Sequence, residues 1–152
     1  KELSALLSAQ GYTRVKTYIQ SGNVILRSAE KPGAELVSLV EQHFGFFAPI
    51  LVLTRDEFKQ ASLNNPYRNV EGKSCHIYFC DEAPEFDTDK VSQLIAESED
   101  YQLHDNIFYL HAPNGIGRSK LVANIEKCLG VTATGRNLNT LNKLNALLDA
   151  ME

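Results

Sequence analysis

Hydrophobic positions in the first half of the chain follow helical and strand spacings in turn. Apolar residues three or four positions apart predict a helix that ends at Gly11, and β-prone runs on both sides of a polar turn predict a hairpin over residues 15–26. A helix over 32–45, a buried strand over 47–53 and a short helix over 54–63 follow. The last of these begins with a capping-box pattern, in which Thr54 is the cap and Glu57 reaches back to it. The first half therefore has the predicted element order α-β-β-α-β-α.

The second half begins with an alternating strand and returns to strand spacing three more times. In order, its predicted elements are a strand over 74–80, a helix capped by Asp87, strands over 101–103 and 107–111, a helix closed by Gly130, a strand over 131–134 and a last helix from Asn137. The order β-α-β-β-α-β is that of the split βαβ plait, the ferredoxin-like arrangement.

The two halves together predict an α+β protein made of two tandem ferredoxin-like subdomains, over residues 1–69 and 70–152. The first subdomain has the element order of the plait without its N-terminal strand. That strand lies in the middle of such a sheet, and soluble proteins avoid exposed ladders of backbone groups. We therefore expect that a segment outside this sequence, or another chain, takes its place.

The polar turn of the predicted hairpin consists of Gln20, Ser21, Gly22 and Asn23. Glycine and asparagine accept positive φ, so the reversal can be tight. Such a tip can be a plain reversal or a binding loop held by a rigid scaffold.

Composition and charge limit the function classes. The 152 residues are 43% hydrophobic, which is enough for a buried core, and the net charge of -4 argues against a general nucleic-acid coat. No apolar run is long enough to span a bilayer. The three cysteines, Cys75, Cys80 and Cys128, form no CxxC pair. They fit structural thiols in a reducing cytoplasm better than a disulfide frame or a zinc site.

A glycine-containing loop precedes the helix that Gly130 closes. Its residues Arg118, Ser119 and Lys120 follow Gly115 and Gly117, so backbone N–H groups and two cations could face an anion. The spacing is not that of a P-loop. The alternative is an ordinary loop with a solvated first helical turn.

A second polar group, Arg136, Asn137, Thr140 and Lys143, lies at the start of the last helix. Residues 115–143 carry five basic residues against one acidic residue, a local charge of +4 in a protein of net charge -4. This asymmetry indicates an anionic partner, either a phosphate-bearing ligand or nucleic acid. The alternative is a helix cap at Asn137 with ordinary surface lysines.

Three motifs together resemble the DUF1697 family of bacterial proteins of unknown function. They are Thr17-Tyr18-Ile19-Gln20-Ser21-Gly22-Asn23-Val24, Ser119-Lys120-Leu121 and Thr134-Gly135-Arg136-Asn137-Leu138-Asn139-Thr140. The resemblance covers essentially the whole chain and implies two tandem ferredoxin-like subdomains. It supplies no reaction, ligand or cofactor. The chain departs from the family pattern at Leu138, where a tryptophan is usual, and in lacking the first strand with its glycine-rich turn.

The sequence thus predicts a cytoplasmic, non-catalytic binding module for a small anionic ligand at the junction of the two subdomains. The candidate ligand-binding residues are Gln20, Ser21, Asn23, Arg118, Ser119, Lys120, Arg136, Asn137, Thr140 and Lys143. The alternatives are a nucleic-acid-binding protein, an enzyme acting on a phosphate-containing small molecule, and a purely structural role for Arg136 and Asn137. No catalytic residue, cofactor or metal site is assigned, and no membrane is expected.

Overall fold

The structure, a computed structural model, describes residues 2–18, 22–46 and 50–151. These residues form two β-sheets and seven α-helices, so the predicted mixed α+β class is confirmed. Two compact units divide the chain: unit 1 lies within residues 1–58 and 143–152, and unit 2 is residues 59–142. The subdomain division between residues 69 and 70 stays a prediction.

Unit 1 is built on an antiparallel hairpin. Its elements are helix α1 (Glu2–Ala9), strands β1 (Thr13–Tyr18) and β2 (Asn23–Arg27), helix α2 (Glu35–Phe44) and the start of helix α3 (Arg55–Leu63). The register pairs Lys16 with Ile25 and Tyr18 with Asn23. The predicted hairpin is therefore confirmed. Within its turn, Gln20 and Ser21 lie outside the described residues.

The predicted capping box at the start of α3 is confirmed, whereas the strand predicted before it is not. The Glu57 carboxylate accepts a hydrogen bond from the backbone N–H of Thr54 at 2.8 Å, and the Thr54 hydroxyl accepts one from the N–H of Glu57 at 3.1 Å. Residues 50–53 belong to neither sheet, and 47–49 lie outside the described residues. A strand is stable only when a neighbour satisfies its backbone groups, and residues 50–53 have no such partner in either sheet.

Unit 2 is built on a four-stranded antiparallel sheet. Its elements are a 3₁₀ turn (Gly72–Ser74), β3 (Cys75–Cys80), α4 (Thr88–Leu94), β4 (Asp100–His104), β5 (Ile107–His111), α5 (Lys120–Ala123), α6 (Ile125–Leu129), β6 (Ala133–Asn137) and the start of α7 (Leu138–Ala150). The strand order is β4-β5-β3-β6. Asp87 caps α4, as predicted, by accepting a hydrogen bond from the N–H of Lys90 at 3.0 Å.

Two predicted elements of unit 2 have different bounds in the structure. The helix expected up to Gly130 is two short helices separated at Asn124, whose side-chain amide donates a hydrogen bond to the Lys120 carbonyl at 2.9 Å. Such side-chain bonds to the backbone compete with helical ones. The strand predicted over 131–134 runs over Ala133–Asn137 instead, because this is the segment that pairs with β3.

The core of unit 2 lies on the face of the sheet that α4, α5 and α6 cover. Its fully buried members include Phe108, Leu110, Leu121 and Leu129, each 0% exposed. The central strand β3 is buried at all six positions. Burial of each such side chain contributes on the order of 1.5–3 kcal/mol.

Gly135 on β6 allows the ring of Tyr78 to pack into this core. A Cβ added at Gly135 would lie 2.7 and 2.9 Å from two ring carbons of Tyr78. The two residues are direct partners across β3 and β6. Gly135 is therefore a packing requirement of this core.

The core of unit 1 is smaller and holds the end of α7 against the hairpin. Ile25 packs with Leu144 and Met151 in one buried cluster. The guanidinium groups of Arg14 and Arg27 both donate to the Met151 carbonyl, at 2.9 and 3.2 Å. These two bonds satisfy a carbonyl at the helix end, where no intrahelical donor remains.

Candidate functional site

Three strand ends meet at one end of the sheet in unit 2. Cys75, the first residue of β3, pairs with His111, the last residue of β5, and the next β3 residue, His76, pairs with Asn137, the last residue of β6. The loop over 112–119 and the start of α7 therefore leave the sheet at the same end. We call this region, residues 112–120 and 136–140, the α7 end.

Arg118 and Lys120 are exposed cations on the loop of the α7 end. Among the described residues, neither takes part in an ion pair. The loop turns at Gly115, where φ is +86°, and a Cβ at Gly117 would meet nothing within 4 Å. This stretch of backbone thus borders open space and carries two unneutralised charges.

Ser119, between these cations, acts as a helix cap. Its hydroxyl accepts a hydrogen bond from the N–H of Val122 at 3.2 Å, which places the first turn of α5. A catalytic role for Ser119 would require a general base beside its hydroxyl. His104 ends β4 at the opposite end of the sheet, and His111 stacks on Tyr67 with 5.6 Å between ring centroids. Within the described residues, neither histidine forms a hydrogen bond with Ser119.

Arg136 and Asn137 lie on opposite faces of the sheet, because successive strand residues alternate. Asn137 shares the helix-covered face with His76, and its side chain caps α7 by accepting from the N–H of Thr140 at 2.9 Å. The Arg136 guanidinium donates to the Gly135 carbonyl at 2.7 Å, and burial lowers the pKa of this guanidinium. These two hydrogen bonds join the side chains of Arg136 and Asn137 to backbone groups and so stabilise the local structure.

The remaining predicted residues fall elsewhere. Asn23 begins β2 in unit 1 and is half-buried, and Lys143 is an exposed residue of α7 assigned to unit 1. Gln20 and Ser21 lie outside the described residues. The structure therefore brings Arg118, Ser119, Lys120, Arg136, Asn137 and Thr140 to one end of unit 2. A single surface through all ten candidates stays a prediction.

His76 is a buried polar residue that the sequence pattern gave little reason to select. It is 9% exposed, forms a hydrogen bond with the backbone of Lys73, and its Nε2 atom has no hydrogen-bond partner within the described part of the chain. Burial lowers the pKa of the imidazole. Strand alternation over residues 74–80 predicts that His76 lies on the same face of the sheet as Tyr78. Only the structure shows that helices cover this face.

Asn139 was also missed as a contact residue. Its side-chain oxygen lies so close to Gly72 that a Cβ there would collide with it. The pair joins the 3₁₀ turn before β3 to the first turn of α7. Asn137 and Asn139 in the family motif thus act on the local structure of unit 2, one as a cap and one as a packing partner.

The sheet of unit 2 offers no open aromatic platform at its centre. Phe108 and Tyr109 are each 0% exposed, and the Tyr109 hydroxyl donates to the Ala61 carbonyl at 2.6 Å. RNA-binding plaits stack bases on aromatic side chains that the sheet exposes. The buried aromatic residues of β5 therefore do not support that mode of RNA recognition.

The described ranges contain neither a metal-binding cluster nor a membrane-spanning helix. No group of three or more His, Cys, Asp or Glu side chains there could hold a metal ion. Nor does any helix in these ranges combine the length and the apolar character that crossing a membrane requires. All three cysteines are free and buried, and burial raises the pKa of each thiol, that of Cys80 to about 11.

Comparison with known proteins identifies a family and a fold. The model of DUF1697, described as a protein of unknown function, matches residues 1–109. The structure of the conserved bacterial protein SP0830 from Streptococcus pneumoniae is similar, with a TM-score of 0.66 and 23% identity over 97% of this chain and 87% of that one. At that identity the likeness shows a shared fold alone. Among curated proteins, none matches this chain.

Proposed function

Because the chain belongs to the DUF1697 family, whose function is unknown, we propose a function from the geometry of the chain itself: a non-catalytic binding module for a small anionic ligand. The ligand contacts Arg118 and Lys120 at the α7 end of unit 2. One observation carries the proposal, namely that these two exposed cations have no acidic partner among the described residues. Unneutralised cations around an accessible backbone attract anions.

The structural residues of the α7 end support the same proposal. Ser119 fixes the start of α5 and Asn137 fixes the start of α7, through the capping bonds at 3.2 and 2.9 Å. A loop anchored in this way loses little conformational entropy when a ligand binds. In this role Ser119 and Asn137 position the binding residues and need not touch the ligand.

We also propose a finer fold and a location. The strand order β4-β5-β3-β6, with all pairs antiparallel, supports a ferredoxin-like plait over Cys75–Asn137. The tandem arrangement, with an incomplete first plait, remains our prediction for the chain. Three free buried thiols support a reducing compartment, the cytoplasm.

Titration with inorganic phosphate and pyrophosphate tests the proposed function. Amide NMR shifts at residues 115–120 should change and saturate, and replacing both cations (Arg118→Gln with Lys120→Gln) should weaken binding about tenfold or more. Lys127→Gln is the matched control, because Lys127 is exposed on α6 and has no ion pair within the described ranges. Added salt should weaken binding at these exposed charges.

Several outcomes would contradict the proposal. Unsaturable shifts would show that the phosphates do not bind at a defined site. Equal affinity in the double variant and in Lys127→Gln would show that Arg118 and Lys120 do not bind them. Binding of single-stranded RNA through the same two cations, with no binding of either phosphate, would favour the nucleic-acid alternative. Turnover of a phosphate ester that Ser119→Ala abolishes would favour the enzyme.

A further inference from the structure

A groove of about 520 Å³ runs beside the hairpin in unit 1, whereas Arg118 and Lys120 of the proposed function belong to unit 2. Its lining residues come from α1, β1 and α7: Ser4, Ala5, Val15, Lys16, Thr17 and Leu147.

The groove lies along β1 because this strand is poorly covered. Four of its six residues are exposed, and among the described residues its one strand neighbour is β2. Neighbouring side chains of a strand alternate between faces, yet Val15, Lys16 and Thr17 all line the groove. A groove that follows the edge of the strand, rather than one face of the sheet, explains this.

The chemistry of the groove combines a cation, two hydroxyls and an apolar wall. Lys16 is exposed and forms no ion pair within the described ranges. The hydroxyls of Ser4 and Thr17 make no hydrogen bond to the described part of the chain, while Val15 and Leu147 are half-buried. Unused donors beside apolar surface suit a ligand with an anionic group and a hydrocarbon body.

The other groove of unit 1 provides a contrast. It is lined by residues of α2 and the α1–β1 connection, including Leu36, Leu39 and Glu35. The carboxylate of Glu35 accepts a hydrogen bond from the N–H of Gly33 at 2.8 Å, and this bond is the main cause that lowers its pKa. An acidic lining disfavours an anionic ligand, so the groove lined by Glu35 lacks the charge that such a ligand requires.

We propose that the groove beside β1 binds a small carboxylate with an apolar body. The carboxylate pairs with Lys16 at the edge of β1, and the hydrocarbon lies against the apolar side chains that line the groove, with the hydroxyls of Ser4 and Thr17 as further donors at its walls. This site is independent of the anion site at the α7 end.

Octanoate and its neutral isostere octanamide are the probes for this site. In an NMR titration of the full chain, octanoate should shift the amide signals of residues 4–5, 15–17 and 147 in a saturable way and leave those of Leu36 and Leu39 unchanged. Lys16→Gln should weaken octanoate binding about tenfold, since hydrogen bonds to charged groups are the strong ones. Lys127→Gln makes the same charge change in unit 2 and should have no effect.

The opposite results would overturn the inference. Equal affinity for octanoate and octanamide would show that the charge of the ligand is not recognised. Unsaturable or scattered shifts would show that the groove is not a binding site. An unchanged affinity in Lys16→Gln would do the same, and circular dichroism of that variant separates lost binding from lost folding. Because phosphate binding at Arg118 and Lys120 is measured on different signals, the two proposals succeed or fail separately.

Discussion

The two units of this protein differ in how far their strands are buried. In unit 2, the central strand β3 is buried at every position, and Phe108, Tyr109 and Leu110 beside it are each 0% exposed. In unit 1, β1 is exposed at four of its six positions, and its partner β2 has one buried residue, Ile25. Both regions contain antiparallel strands next to helices, yet only one of them has a strand covered on both faces.

This difference separates stability from recognition along the chain. A strand covered on both faces fixes its neighbours by packing, so substitutions there are expected to act on folding. An exposed strand leaves side chains and a groove free for a ligand at little cost in stability. The predictions below test this contrast, from the largest expected effect to the smallest.

Truncating an aromatic side chain in each unit should give the largest difference. Phe108→Ala removes a fully buried ring of unit 2 and should lower the free energy of unfolding by about 3–5 kcal/mol. Phe46→Ala removes a ring of unit 1 that is 57% exposed and should change it by less than about 0.5 kcal/mol. Urea unfolding followed by circular dichroism measures both values. Equal losses in the two variants would contradict the contrast.

Adding a methyl group at Gly135 should disturb unit 2 through Tyr78. The new Cβ would lie 2.7 Å from the nearest ring carbon, so Gly135→Ala should cost about 1–3 kcal/mol in unfolding free energy. Gly117→Ala is the control, since nothing lies within 4 Å of a Cβ there. Combining Gly135→Ala with Tyr78→Leu should cost less than the sum of the single changes. Strictly additive costs of the two changes would show that the new methyl group does not contact the Tyr78 ring.

Removing a helix cap in each unit should have a smaller and similar effect. Ser119→Ala at α5 in unit 2 and Thr54→Ala at α3 in unit 1 should each cost about 1 kcal/mol of unfolding free energy. Phosphate affinity should fall only slightly in Ser119→Ala at temperatures where the variant is folded, because the hydroxyl anchors the loop and does not touch the ligand. A loss of affinity as large as that of the Arg118 and Lys120 variant would show that the hydroxyl itself contacts the ligand.

Protonation of His76 should have the smallest effect at neutral pH and a growing one in acid. Burial lowers the pKa of this imidazole below its ordinary value of 6.5, so the unfolded chain binds the proton more readily than the folded one. The free energy of unfolding should therefore fall as pH drops below about 6.5, until the folded imidazole is also protonated. His76→Phe should reduce this slope between pH 7 and 5, measured by urea unfolding at each pH. Ile77→Val, a non-titrating change on the same strand, should lower the free energy of unfolding at every pH and leave its pH dependence unchanged.

Much of the fold followed from local pattern. Both strands of the hairpin, four strands of the second half and the caps at Thr54 and Asp87 were predicted, because periodicity and capping chemistry are encoded within a few neighbouring residues. The strand expected over 47–53 was wrong for residues 50–53, since a strand also needs a partner that no local pattern specifies.

The candidate site was predicted less well than the fold. The basic loop at Arg118 and Lys120 was visible as a local excess of positive charge, and the structure places it at the same end of the sheet as Asn137. The separation of Arg136 from Asn137 onto opposite faces was not visible, because the sequence pattern assigned both residues to the start of a helix. The groove beside Lys16 was missed because it joins residues from three distant segments.

Apart from the strand expected over 47–53 and the helix that is divided at Asn124, the sequence alone determined the order of the elements. It also determined their caps and the basic character of residues 115–143, because each depends on residues within about one turn or one strand of one another. Only the tertiary structure decided that β3 is covered on both faces, that Gly135 makes room for Tyr78 and that His76 has a buried nitrogen without a partner in the described ranges. These features depend on which segments meet across the sheet, and such contacts between residues far apart in the chain are fixed by packing as a whole.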